Sequence, residues 1–438
     1  MKNKYNFLLF VLAIVAISAC KPEIDDFQPS AGNADFSKYV ALGNSLTAGY
    51  KDGALFESGQ QYSYPNILAE QLKLVGGGEF TQPLMKGEFG FGGRKILGIK
   101  LATDCAGNPI IGAAPSLSPI NMEGIIDLEN LVNKPEYYTV NNLGVPGAKA
   151  SHLLAPGYGS LNPYYGRFAN APNASILGQA MSLQPTFFTL WIGNNDVLTY
   201  ALAGGEADSV TSVNSFPLYY GALINTLTSA GAKGAVATVP DVDKIAYFTT
   251  IPYNALVLSR QGQADSLSFA YMALGIQFNI GQNPFIIQDA DAPGGLRQIK
   301  STELLLLELP QDSLKCAGWG SVKPIPAKYV LDESEINEIR TATTAYNQTI
   351  KTMAQSKGLA VVDANEFFLD VKQNGIVFDG VKLQTTYISG GLNSIDGIHL
   401  TPKGNAVVAN LFIEAINSTY GSKIPLVDIT EYPGIEFP

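Results

Sequence analysis

Histidine is nearly missing from this chain: only His152 and His399 are present, so few residues can serve as a general base at neutral pH. Cysteine is almost as scarce. Cys20, Cys105 and Cys316 include no Cys-x-x-Cys pair, which argues against structural zinc and dithiol redox chemistry. Basic residues are the minority, 28 Lys and Arg against 38 Asp and Glu, and no basic run is interleaved with aromatics, so no nucleic-acid partner is expected. No phosphate loop of the Gly-x-x-x-x-Gly-Lys type occurs, and no serine has glycine two positions away on both sides. Asp289 and Asp291 begin something like a calcium loop, but the closing glutamate is absent. No metal and no cofactor are expected. With no repeat of roughly 20 to 50 residues, a solenoid or propeller is not supported.

What is present begins with Lys2 and Lys4, then an apolar stretch from Phe7 to Ile17, too short for the roughly 20 residues of a membrane span. Residues 1–19 read as a secretory signal. The ending Ile17-Ser18-Ala19-Cys20 resembles the bacterial lipobox, and that resemblance implies cleavage before Cys20 with lipid attached to it. Residues 20–35 have little to bury and read as a flexible tether. The expected location is the cell envelope, on a membrane reached through the lipid on Cys20 and most simply the outer one, with its face left open. Losing Lys2 and Lys4 leaves 26 basic against 38 acidic residues, a formal charge of −12. In an exported protein two remaining cysteines are more often bonded than free, so a Cys105–Cys316 disulfide is expected, with two buried thiols as the alternative.

Apolar content of 46% is ample for a large core. Short apolar runs at Tyr39–Gly43, Tyr138–Val140, Thr186–Ile192, Ala235–Val239 and Leu359–Asp363 read as strands, each ending in a polar turn. Helical stretches at Tyr64–Val75, Leu218–Ser229, Glu335–Lys357 and Pro402–Tyr420 lie among them, and Asp332 followed by Glu335 suits a capped start. This predicts an α/β fold, a three-layer α/β/α sandwich around a mainly parallel five-stranded sheet with ligands at the strand C-terminal ends. Segments at about 76–135, 246–331 and 368–393 break the rhythm and read as insertions, and 421–438 reads as a tail. Tyr247, Phe248 and Tyr253 in the second insertion could line a groove or belong to a core.

Four segments carry chemistry: Gly43-Asn44-Ser45-Leu46, Gly147, Gly193-Asn194-Asn195-Asp196 and Asp396-Gly397-Ile398-His399. A carboxylate three residues before a histidine can hold one ring nitrogen, leaving the other for a serine hydroxyl. In identity and order these blocks resemble those of the GDSL, or SGNH, hydrolases, over residues 36 to 420 outside the insertions. The resemblance implies the flavodoxin-like form of the fold, Ser45 as nucleophile, His399 as base and Asp396 as its orienting carboxylate. It also implies an oxyanion hole from the Ser45 and Gly147 backbone N–H groups and the Asn195 amide. The implied activity is hydrolysis of carboxylic esters of small molecules, lipids or glycans. A binding lipoprotein that lost turnover and an acyltransferase are the alternatives. Asn44 departs from the aspartate of the named motif, which puts the role of that charge in question. His152, five residues past Gly147, reads as a satisfied or exposed histidine without a catalytic role.

Overall fold

In the strand Tyr39–Gly43 (β1) side chains alternate between two cores: Val40 and Leu42 enter one, Tyr39 and Ala41 the other. The same alternation runs through the strand Phe187–Trp191, where Phe188 and Leu190 oppose Phe187 and Trp191. A strand buried on both faces needs helices on both, so the residues themselves call for three layers. The computed structural model describes residues 27–435 apart from 92, 104, 106–108, 120–130 and 379; the expected signal and Cys20 lie outside the described residues.

The sheet consists of β1, β2 (Asn142–Gly144), β3 (Phe187–Trp191), β4 (Lys233–Ala237) and β5 (Ala360–Val362), all parallel, in the order β5-β4-β3-β1-β2. The principal helices are α1 (Tyr64–Lys73), α2 (Asn195–Leu202), α3 (Phe216–Leu227), α4 (Glu333–Ser356), α5 (Ala364–Asn374) and α6 (Pro402–Tyr420). Helices α1 and α6 cover one face, with Leu68, Val408 and Phe412 fully withdrawn from water. Helices α3 and α4 cover the other through Leu223, Tyr346 and Ile350. Helix α4 starts at a capping box, with Asp332 Oδ1 accepting from the Glu335 N–H at 2.9 Å and Glu335 Oε2 accepting from the Asp332 N–H at 2.8 Å, worth about 1 kcal/mol. No helix among the described residues is long and apolar enough to cross a membrane.

The chain leaves β1, crosses to β2 on one side and then to β3 on the other, so the crevice between β1 and β3 is a topological switch point. Gly43 is level with Gly144 on one neighbour and with Trp191 on the other. Three turns therefore leave the sheet at one edge.

Several elements differ from the sequence expectation. The second strand is Asn142–Gly144, four residues later than Tyr138–Val140. The polar Asn142 sits inside the sheet because its Nδ2 donates to the Thr47 carbonyl at 2.9 Å and its Oδ1 accepts from the Gly144 N–H at 3.0 Å. Residue 368 lies within α5, and only beyond it do Ile376–Phe378 and Val381–Leu383 form a hairpin. The C-terminal segment packs, with Ile424, Val427 and Ile429 buried, and Ser30 of the tether pairs with Lys423. Residues 246–331 carry two small cores of their own, around Leu305 and Ile325 and around Leu258 and Leu267. Tyr247 and Phe248 are core residues, and Tyr253 packs against the first small core. Cys105 and Cys316 are joined in a disulfide, their Cα atoms 5.0 Å apart across 211 residues of sequence.

Candidate active site

Ser45 opens a short helical turn, Ser45–Ala48, directly after β1. Asn44 caps that turn, its Oδ1 accepting from the Leu46 N–H at 3.0 Å. His399 arrives from a loop, 354 residues away in sequence, just before α6. Ser45 Oγ stands 2.8 Å from His399 Nε2, and His399 Nδ1 stands 2.8 Å from Asp396 Oδ2. An ionised carboxylate only accepts, so Nδ1 carries the proton and Nε2 of the neutral ring is left to accept from the serine hydroxyl. The structure thus brings together the three residues that the sequence singled out.

Asp396 is fixed by four donors. Oδ1 accepts from the Ile398 and His399 N–H groups at 2.9 and 2.8 Å, and Oδ2 accepts from His399 Nδ1 and from the Gly53 N–H at 3.1 Å. Burial pulls this carboxyl toward the neutral form, but its interaction with the adjacent His399 ring and these hydrogen bonds outweigh it and hold it well below the usual carboxylate range. Gly397 takes φ +76°, and a Cβ there would stand 3.2 Å from the Leu307 side chain and the Tyr247 backbone. Glycine is required for this tight Asp-to-His turn.

A second turn clasps the first, and the sequence reading missed it. The Asp52 N–H donates to Ser394 Oγ at 3.1 Å, and Asp52 Oδ1 accepts from the Ile395 N–H at 3.3 Å. The Tyr50 ring lies 4.7 Å from the His399 ring between centroids, and its hydroxyl donates to the Gly53 carbonyl. Burial, and then the Asp396 charge, push that hydroxyl up to about 12. The Asp52-Gly53 dipeptide was a visible turn signal. Its partner Ser394, 342 residues downstream, was not.

Gly147 and Asn195 follow β2 and β3 at the same edge. Gly147 has φ +79°, the left-handed conformation that glycine adopts without penalty. Among the described residues, the backbone N–H groups of Ser45 and Gly147 donate to no protein acceptor. Asn195 Nδ2 donates one hydrogen to the Ala148 carbonyl at 3.0 Å, its other hydrogen has no protein acceptor among the described residues, and Asn195 lines the cleft. Asn44 Nδ2 donates to Asn194 Oδ1 at 3.0 Å, so the amide at position 44 has an acceptor opposite it. Ser45 and His399 are 8% and 9% exposed, at the wall of a cleft lined by Leu46, Leu198, Val242, Ile245, Phe368 and Ile398. The cleft holds about 60 Å³ of free space, against roughly 10–15 Å³ for one water. His152 stands apart, stacked on Tyr158 at 4.6 Å between centroids, with Nδ1 accepting from the Lys149 N–H.

Comparison with known proteins places this geometry in context. The family model for GDSL-like lipase/acylhydrolase matches residues 39–412. Among solved structures, LAE5, an alpha/beta hydrolase from the metagenome of Lake Arreo, is 13% identical, with 88% of this chain and 96% of that chain covered and a TM-score of 0.37. The extracellular lipase from Streptomyces rimosus is 11% identical over 87% of this chain and 98% of its own, with a TM-score of 0.35. The acetyl xylan esterase AlAXEase is 14% identical over 86% and 98%, with a TM-score of 0.33. No curated protein matches the chain.

Proposed function

The chain belongs to the family of GDSL-like lipases and acylhydrolases, and on that premise we propose that it is an exported, lipid-anchored serine esterase that cleaves short-chain acyl esters through an acyl-enzyme on Ser45. The observation that carries this is the unbroken pair of 2.8 Å contacts from Ser45 Oγ through the His399 ring to Asp396. In the first half-reaction His399 Nε2 takes the serine proton as Oγ bonds to the ester carbonyl carbon, and Asp396 stabilises the imidazolium. The new oxyanion is met by the Ser45 and Gly147 N–H groups and Asn195 Nδ2. Collapse breaks the bond to the alkoxy oxygen, which leaves as the alcohol with the proton from His399. Water then repeats the sequence on the acyl-enzyme and releases the acid. No cofactor enters.

The narrow, apolar cleft beside Ser45 supports a short acyl group, acetyl foremost, because about 60 Å³ seats only a few heavy atoms. The Ile17-Ser18-Ala19-Cys20 sequence supports attachment to a membrane through lipid on Cys20. A p-nitrophenyl ester series from acetate to laurate tests the activity. Acetate or butyrate should be turned over fastest, and Ser45→Ala should lose about 10⁴-fold or more in kcat. Undiminished turnover in that variant would remove Ser45 from the chemistry, whereas a preference for laurate would remove only the short-chain assignment. Mass analysis of the membrane-extracted protein, with Cys20→Ser as control, tests the anchor.

A further inference from the structure

A second and much larger cavity, open to solvent, is lined mainly by the 246–331 segment and offers about 1240 Å³ of free space, beyond the roughly 300–1,000 Å³ of an ordinary small-molecule site. Its interior is apolar, built by Leu256, Leu258, Leu267, Phe285, Leu307 and Leu314. Two rim side chains, Val257 and Val322, stand 63% and 66% exposed with nothing covering them. The other side is closed by Tyr387 and Ile388 from the loop that leads to Asp396. The Tyr387 hydroxyl donates to the Ile395 carbonyl at 2.8 Å, so this wall continues into the turn that carries Asp396.

The charge of the cavity lining opposes that of the molecule. The chain has ten more acidic than basic residues, 38 against 28, yet among the described residues the titratable cations lining the cavity are Arg260 and Lys315 and no Asp or Glu lines it. Neither cation forms an ion pair or side-chain hydrogen bond among the described residues. Asp265 and Asp312, on the helices that supply lining residues, do not line it, and Asp265 accepts from Gln261 Nε2 at 2.8 Å. Of the neutral polar groups, Ser266 and Ser321 spend their hydroxyl protons on the Gly262 and Gly318 carbonyls, and Gln263 Oε1 accepts from the Ser259 and Arg260 N–H groups. What remains is a large, mainly apolar volume with two cations unpaired among the described residues, complementary to an apolar chain that ends in an anion.

We infer that this cavity is a binding site for a long-chain fatty acid, its tail in the apolar interior and its carboxylate met by Arg260 and Lys315. The site is separate from the Ser45 cleft and does not depend on the esterase reading. It is tested on the full-length protein by fluorescence titration with cis-parinarate, before and after Ser45 is blocked with a sulfonyl fluoride, followed by displacement with palmitate, hexadecanol or phosphatidylglycerol vesicles. Saturable binding of one equivalent that survives the block is expected, with palmitate displacing at least about tenfold better than hexadecanol. The surface double variant Arg260→Glu/Lys315→Glu should weaken binding by about tenfold or more, and Arg260→Gln/Lys315→Gln by less. Binding lost on blocking Ser45 would assign the probe to the catalytic cleft and overturn the proposal. So would equal displacement by hexadecanol, indifference to charge reversal, or displacement by the vesicles and not by palmitate, the last pointing to a phospholipid.

Discussion

Asn162 offers a sharp test of the oxyanion assignment because it touches a peptide group and not the substrate. Its Nδ2 donates to the Pro146 carbonyl and to the Tyr158 hydroxyl oxygen, both at 2.9 Å, while its Oδ1 accepts from the Tyr164 N–H at 3.0 Å and caps the short helix Pro163–Gly166. The Pro146 carbonyl and the Gly147 N–H belong to one planar trans peptide, so holding the oxygen fixes the opposite direction of the N–H. Asn162 is therefore a positioning residue for that donor. Asn162→Asp keeps the cap and removes both donors; Asn162→Ser keeps a neutral cap but is too short to reach Pro146. Losing an oxyanion donor outright costs about a hundred- to a thousand-fold, and here the donor survives with its direction unsecured. Since a 1 Å misplacement costs about a hundredfold, both variants should lose roughly 10- to 100-fold in kcat with little change in KM. The assay is steady-state hydrolysis of p-nitrophenyl acetate, paired with thermal melts. Asn162→Ala, which also loses the cap, should be less stable than Asn162→Ser by about 1 kcal/mol. Wild-type kcat in both capped variants would show that Asn162 serves only the helix start and that the Gly147 N–H is not held through Pro146.

The other predictions concern neighbouring groups. Asn195→Ala should lower kcat about a hundred- to a thousand-fold in a folded protein, and near-full activity would exclude this amide from the oxyanion hole. Asn44→Asp should give no gain in rate, because the amide donates to Asn194 Oδ1 and a carboxylate would set acceptor against acceptor; a large gain in the same assay would show that a charge at position 44 matters. Asp196 is buried, and that burial raises its pKa from 3.8 to about 6 although Oδ2 accepts from the Ala150 N–H at 2.9 Å. A raised carboxyl holds its proton longer in the native state, so its contribution is complete below about pH 4 and is lost as pH rises through about 6. Two units correspond to about 3 kcal/mol, an order-of-magnitude figure. Asp196→Asn should flatten the stability profile between pH 4 and 7 in denaturant titrations, and a profile parallel to wild type would refute this.

Much of the sheet was legible because strands buried on both faces are written as continuous apolar runs: Tyr39–Gly43 coincides with β1, and Thr186–Ile192 overlaps β3 to within a residue at each end. The edge strand was displaced because Asn142 is polar, and partners far upstream, Thr47 and Gln82, account for its place in the sheet. The site was legible as four short blocks, since each needs particular residue types at the end of a strand or beside a histidine. What supports it was not. The Asp52–Ser394 clasp, the Tyr50 ring against His399 and the Asn162–Pro146 bond are contacts between segments that carry no periodic or pairwise signal of each other. The extent of the C-terminal packing was hidden for the same reason, as Ile424 and Ile429 read as a tail until α6 and β5 are in place beneath them.

The level ends of three strands also bear on how such a molecule tolerates change in chain length. Ser45, Gly147 and Asn195 stand two, three and four residues beyond the aligned positions Gly43, Gly144 and Trp191. Adding or deleting one residue within any of these spacers would swing a reacting group away from the others, so length there is rationed. Elsewhere it is free: loop closure becomes only slowly more costly as loops grow, and the added segments enter after the spacers are complete. New specificities can accordingly be grafted onto the periphery without re-tuning the reaction centre.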